Sequence, residues 1–259
     1  MHPDSLDMPE GDPWDTVRRE LDNWQRDGRT ARLWLRDDDA ITPTAALDQL
    51  LGICRSREVP LLLCVIPMRA DQRLVAHLAH RPLVKLAVHG AWHRNHGRPN
   101  TKSEEMAIER GRAVVLQELT AARARLIHLF GQHAGDWYVP PWNRISDEAA
   151  ALLQRVGFSA LSTFAAKRHN CPGLSEHNTH VDLINWRGGR VGRSPAWISE
   201  QLAQELAKAR VAGHSPVGIL THHLDHDATA WMVLTGLIEV TSRHPAASWI
   251  RPSDLLTMA

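Results

Sequence analysis

Three short stretches of this chain hold carboxylates and imidazoles densely enough to do chemistry. The first is Asp37-Asp38-Asp39, at the end of Leu33-Trp34-Leu35-Arg36. Adjacent carboxylates repel one another, so three of them directly after a buried strand make a costly turn. The bland use is a solvated turn ahead of a helix cap near Thr42. The chemical use sets one carboxylate on a metal ion and another beside it as base. The second stretch is His89-Gly90-Ala91-Trp92-His93, followed by Arg94-Asn95-His96. Two His at i and i+4 share a face if the segment is a helical turn, and both imidazoles then reach one ion. His96 is read as an outer hydrogen-bond donor rather than a third ligand. The third is Thr221-His222-His223-Leu224-Asp225-His226-Asp227. Either His222 or His223 shares a separate metal with His226, or one His acts as general acid while Asp225 or Asp227 caps the next helix. Spacing leaves both open.

Two further segments offer walls for a ligand. Tyr138-Val139-Pro140-Pro141-Trp142-Asn143-Arg144 is a loop stiffened by proline, and Asp182-Leu183-Ile184-Asn185-Trp186 ends in a second Trp. Trp rings there suit a sugar or an acetyl group, whereas Trp14, Trp24 and Trp249 are read as packing. Arg187-Gly188-Gly189-Arg190-Val191-Gly192-Arg193 reads first as an exposed turn, with anion binding as the alternative.

These segments need a scaffold that brings them together. The pattern predicts a helix over 14–27, with Val17, Leu21 and Trp24 on one face. A strand follows over 32–36, then a helix opened by Pro43 after Thr42 and running to about Arg57. Further strands are expected over 61–66, 83–88, 137–139, 158–163, 180–186, 216–221 and 248–250. Helices are expected over 70–80, from Ser103 to about Phe130, over 146–156, 195–211 and 227–242, and near the C-terminus. Strands alternating with helices imply a parallel sheet or barrel. In a (β/α) barrel the strand ends meet at one mouth, so residues far apart in sequence share one cleft.

Composition mainly excludes. The chain has 259 residues, 43% hydrophobic, with 30 Lys and Arg against 29 Asp and Glu. The length suits one large domain, read as 14–259 after a flexible N-terminus over 1–13. A net charge of +1 argues against a nucleic-acid partner held by bulk charge. No apolar run approaches the length of a membrane span, and the polar start carries no export signal, so a cytoplasmic location is expected. Three Cys without a CxxC fit a reducing compartment. There are 16 His, and 10 Trp beside 1 Tyr and 3 Phe.

Taken in order, the five segments resemble the polysaccharide deacetylases with a NodB homology domain, carbohydrate esterase family 4. The resemblance runs over roughly residues 31 to 225. It implies a distorted (β/α)7-type barrel in a single domain of α/β class. It also implies a metal-dependent hydrolase that removes the N-acetyl group of an amino sugar in an oligo- or polysaccharide or a lipid-linked precursor. By the same resemblance Asp38 is the base, ahead of Asp37 in the alternative register. Asp39, His89 and His93 hold the metal, zinc first with Co, Mn or Ni as alternatives. His222 is the general acid, and Pro141, Trp142, Asn143 and Trp186 meet the substrate. The implied partner is an N-acetylated carbohydrate, and no protein partner is inferred. Two departures stand out. Val139 replaces an Arg that holds the catalytic Asp, with Arg36, Arg144 or Asp225 as substitutes. Asn185 replaces an Asp that tunes the acid His, leaving Asp182 as the acidic member. A metal hydrolase of a non-sugar or cyclic amide on the same barrel, or a lapsed enzyme that still binds glycans, are the alternatives.

Overall fold

The computed structural model describes residues 11–131, 134–165, 168–169, 171–213 and 215–258. The expected loose N-terminus lies largely outside these, apart from 11–13, where Asp12 pairs with Arg18 at 2.6 Å. In chain order the elements begin with α1 (Asp15–Arg26), β1 (Ala31–Ala40), α2 (Ala45–Ser56), β2 (Leu61–Val65), α3 (Gln72–Leu78) and β3 (Val84–His89). Then come α4 (Arg112–Phe130), β4 (Ala134–Val139), α5 (Asp147–Ala150), α6 (Leu153–Val156), β5 (Ala160–Leu161), β6 (Ser175–Glu176) and β7 (Thr179–Asp182). The chain finishes with β8 (Ile184–Asn185), β9 (Val191–Gly192), α7 (Pro195–Ala212), β10 (Val217–Thr221), α8 (Ala228–Arg243), β11 (Ala247–Trp249) and α9 (Pro252–Leu255).

The main sheet is parallel, in the order β6-β5-β4-β3-β2-β1-β10-β7, with β11 on β1. It curls until Phe164, just past β5, bridges Thr179 of β7. Seven strands, from β5 round to β7, thus enclose a distorted (β/α) barrel. Inside it pack Trp34, Leu62, Cys64, Ala87, Trp137, Val139 and Ala160, with Leu255 of α9. A larger core, including Leu33, Leu35, Leu61 and Leu63, lies between strands and helices. Strand alternation explains the split: Trp34 faces inward while Leu33 and Leu35 face the helices. The run Leu61-Leu62-Leu63-Cys64-Val65 is buried throughout, as a strand covered on both faces must be.

The helices start where side chains can cap them. Thr44, Asp71, Ser146, Ser194 and Asp227 each accept a backbone N–H from the first turn of α2, α3, α5, α7 and α8. The α1 stripe packs on α7, where Trp24 Nε1 donates to Leu206 O at 3.2 Å. No helix among the described residues is long and apolar enough to cross a membrane.

Several boundaries differ from the expectation, each for a local reason. The first strand runs on to Ala40, so the three Asp lie within it rather than after it. The helix placed after Thr42 starts at Ala45, because Thr44 caps it and the Thr42 hydroxyl goes to Asp71. The helix expected from Ser103 starts at Arg112. Glu105 turns away to bind another loop, and Gly111 at φ +102° interrupts the backbone. The helix over 146–156 is divided at 151–152 into α5 and α6. The strand over 180–186 breaks at Leu183, where Asp182 Oδ1 accepts from the Ile184 N–H. The strand over 158–163 keeps only Ala160–Leu161.

Candidate metal centre and catalytic mouth

The β1 end sets the site. Arg36 and Asp38 follow Trp34 on the inward face, and Asp37 follows Leu35 on the face toward the helices. Simple alternation would send Asp39 outward as well. Instead the pairing of β1 with β2 shifts between Asp37 and Ala40, and Asp39 takes φ +75°. This bulge re-aims the side chain, so that two consecutive carboxylates reach the mouth.

Asp39 Oδ1 lies 3.3 Å from His89 Nε2 and 3.3 Å from His93 Nε2. The three atoms form a group compact enough to hold a metal ion, the one such group among the described residues. His89 ends β3, and its Nδ1 meets Val139 O at 3.0 Å. That carbonyl can only accept, so Nδ1 carries a proton, and in the neutral ring Nε2 turns a lone pair toward Asp39. Lone pairs facing one another repel unless a cation or proton lies between them. The donor set of one carboxylate oxygen and two imidazole nitrogens therefore fits a divalent ion with positions left over for other ligands.

His93 does not arrive on a helical turn. Gly90 and His93 have φ of +63° and +58°, and the loop folds back on itself. Glu105 holds it there. Its buried carboxylate accepts from the N–H groups of Ala91 (3.0 Å), Trp92 (2.8 Å) and Arg94 (3.1 Å). A Cβ on Gly90 would stand 1.9 Å from Glu105 Oε2 and 2.6 Å from Pro141 Cγ. Glu105 is thus a functional residue that the sequence reading missed. His96, expected as the outer partner, makes its hydrogen bond through its backbone, to Glu104 O.

Asp38 faces the same mouth. Its Oδ2 accepts from Arg36 Nη2 at 3.0 Å and stands 3.8 Å from His222 Nε2. Arg36 is fully buried and also binds Ser162 Oγ, Thr163 O and Asn143 Oδ1. This guanidinium holds Asp38 from within the same strand. Removing one partner of such a buried pair costs about 3–5 kcal/mol. Asp37 has other partners. It accepts from Thr221 Oγ1 and the His223 N–H, and its Oδ1 lies 2.5 Å from His223 Nδ1. This clamp ties the β1 end to the β10 end.

His222 follows β10, and its ring meets Trp186 edge to face at 4.6 Å. Trp186 Nε1 donates to Asp182 Oδ2 at 2.8 Å. Asn185 accepts from the Gly188 N–H and caps that turn. His222 Nδ1 is buried and finds no hydrogen-bond partner among the described residues. The separate metal site imagined for His222 or His223 with His226 is not formed: His223 is held by Asp37, and His226 packs on Trp231. Trp142 stacks edgewise on His93 at 4.5 Å, and Pro141 is buried beneath the loop. Asn143 accepts through its side-chain oxygen from Arg36 Nη2, the same nitrogen that donates to Asp38. Asp39, His93, Trp142 and Asn143 all have positive φ, and such backbone strain gathers where a site is built.

Burial works to raise the Asp39 carboxyl, but contact with His89 and the charges of His89 and His93 outweigh it and hold it below the usual range. Burial likewise works to raise Asp38, and Arg36, then His89 and His222, bring it below its ordinary value. Burial lowers His93, helped by His89. Burial also works to lower His89, but Asp38 and then Asp39 leave it raised, so the field that draws a proton to the trio also draws a cation. Asp182 is raised by burial.

The fold that carries this group has counterparts among solved structures. No protein-family model and no curated protein sequence matches the chain. A proposed polysaccharide deacetylase from Mycobacterium smegmatis superposes with a TM-score of 0.66 at 17% identity, covering 89% of this chain and 90% of that one. A family 4 acetyl xylan esterase from Clostridium thermocellum, in complex with cobalt, gives 0.54 at 13% identity over 88% and 91%. A family 4 pseudoenzyme from Bacillus anthracis gives 0.55 at 14% identity over 88% and 66%. The chain therefore has the fold of the polysaccharide deacetylases and family 4 carbohydrate esterases.

Proposed function

We propose that the protein is a divergent metal-dependent deacetylase, hydrolysing the N-acetyl group of an amino sugar in an oligo- or polysaccharide or a lipid-linked glycan precursor. One observation carries this reading: on this fold, the Asp39–His89–His93 trio shares a mouth with Asp38 and His222. Asp39, His89 and His93 hold the ion, with zinc favoured and Co, Mn or Ni compatible with the same donors. When bound, the metal makes water acidic and polarises the acetyl carbonyl. Asp38, kept ionised by Arg36, takes the proton of the attacking water. His222, on the other side of Asp38, gives a proton to the departing amine. Trp142 and Trp186 flank the sugar, and Pro141 and Asn143 fix the loop between them. The products are acetate and a free amino sugar.

A second reading rests on Asn185 and His222. Asn185 lies on Gly188, and His222 Nδ1 has no hydrogen-bond partner among the described residues, so Asp182 is left as the acidic member beside the acid. A lapsed enzyme that binds glycans would look the same. The test is acetate release by protein stripped of metal and reloaded with Zn, Co, Mn or Ni. The panel contains N-acetylglucosamine oligomers, imides and ureides. Metal-dependent acetate release from the oligomers is the expected result. Turnover of an imide or ureide alone moves the reaction to a non-sugar amide. Metal bound with no turnover of anything makes the protein a lapsed enzyme.

A further inference from the structure

We infer that the mouth is built for an N-acetylated sugar carrying negative charge on its neighbouring unit, as a uronate or a phosphate. This rests on the deacetylase reading and names its substrate class. The chain as a whole is nearly neutral at +1, and two of the loops around the site carry arginines without ion-pair partners among the described residues. The first, over 90–111, carries Arg94, Arg98, Lys102 and Arg110 beside Glu104, Glu105 and Glu109; Glu104 and Glu105 accept from backbone N–H groups, and Glu109 lies on Arg98. Residues 183–193 carry Arg187, Arg190 and Arg193 with no Asp or Glu. The first loop follows β3 and supplies His93; the second follows β7 and supplies Trp186. In the strand order these two lie across the barrel from each other, so the two loops bound the mouth from opposite sides.

The arginines are set on aromatic faces. The Arg94 guanidinium lies 5.0 Å from the Trp92 ring centre, that of Arg190 5.4 Å from Trp186, and that of Arg193 3.8 Å from Trp197. Stacking restrains a guanidinium, so less entropy is lost when its planar fork meets a carboxylate or phosphate. Arg190 also pairs with Asp225 at 2.7 Å, and Arg98 with Glu109 at 3.5 Å. Arg94, Arg187 and Arg193 have no ion-pair partner among the described residues. The floor of the site has the opposite character, since Asp38 and Asp39 would repel an anion placed on them. A neutral N-acetyl group at the floor and a charged group at the rim is the arrangement that satisfies both. The chain's net charge of +1 favours a sugar chain over a nucleic acid.

The test is calorimetric binding to zinc-loaded protein, with acetate release measured in parallel. The probes are oligosaccharides alternating glucuronate with N-acetylglucosamine, chitin oligosaccharides of equal length, N-acetylglucosamine 1-phosphate and free N-acetylglucosamine. Charged probes should bind about tenfold more tightly than their neutral counterparts at low salt, and the advantage should shrink as salt is added. The tighter of the uronate and phosphate arms identifies the charge. Arg94→Glu combined with Arg187→Glu should remove most of the advantage and move neutral binding far less. Equal binding of charged and neutral probes overturns the inference, as does a preference that survives charge reversal. Single-stranded DNA binding more tightly than either glycan overturns it too. Acetate release from chitin oligosaccharides with no charge preference leaves the deacetylase reading standing and this inference fallen. Salt-sensitive preference for charged glycans without acetate release does the reverse.

Discussion

His89 and His222 each close a parallel strand of one barrel and turn Nε2 toward the mouth, yet they are held by different means. On His89, Nδ1 is fixed by the Val139 carbonyl at 3.0 Å, and Glu105 ties down the loop beyond it. On His222, Nδ1 has no hydrogen-bond partner among the described residues, and the ring rests against Trp186. A ligand must present the same lone pair at every moment, so a locked tautomer serves it. A proton donor must change its protonation state in each cycle, and packing restrains it without choosing a tautomer. The two arms therefore differ in what a mutation should remove.

The largest effect is expected at the locked arm. His89→Ala should lose bound metal by more than the about 10–100-fold typical of losing an outer partner. Metal analysis after gel filtration reads this, and a fully loaded variant would dissolve the distinction. Glu105→Gln comes next. It keeps the shape of the side chain but replaces one acceptor oxygen with a donor facing an N–H. Metal affinity should fall within that same range of about 10–100-fold, with melting showing the protein still folded. Trp186→Leu probes the other arm. Metal affinity should stay put while kcat falls, by less than the about 10²–10⁴ that a whole general acid contributes. Loss of metal in this variant would join the arms that the geometry separates.

The smallest effect concerns the clamp between the arms. Burial alone would lower the His223 pKa, but Asp37 beside it outweighs burial and leaves it raised. A raised folded value means that the charged pair contributes fully below the ordinary imidazole pKa of about 6.5 and is lost as pH rises through the folded value. The Tm gap between wild type and His223→Gln should therefore narrow from about pH 6.5 upward. A gap that widens with pH would reverse the assigned sign.

The parts of the site legible in the sequence are those carried by short-range pattern. The alternation of Leu33, Trp34, Leu35, Arg36 marks a strand, and its period places Arg36 and Asp38 on one face. Arg36 stands beside Arg144 and Asp225 as a substitute for the Arg missing at Val139, and only the contact with Asp38 separates it from them. The arrangement of Asp39 and His93 could not be read, because each depends on a positive φ in a residue that rarely adopts one. Glu105 was hidden for another reason. It acts on backbone N–H groups 11 to 14 residues away, and those groups are the same whatever the sequence. Its removal to that task also explains why the long helix begins at Arg112. The partners of Asp37 arrive from β10, and only the register of β1 on β10, with Asp37 beside Thr221, brings them together.

The central claim is that neighbouring carboxylates on one bulged strand do different work, Asp39 on the metal and Asp38 on the proton. Metal content and acetate release measured side by side for Asp38→Asn and Asp39→Asn test it most directly. Asp38→Asn should keep its metal and lose activity, while Asp39→Asn should lose both. The two variants behaving alike toward metal, or Asp38→Asn remaining active, would contradict it.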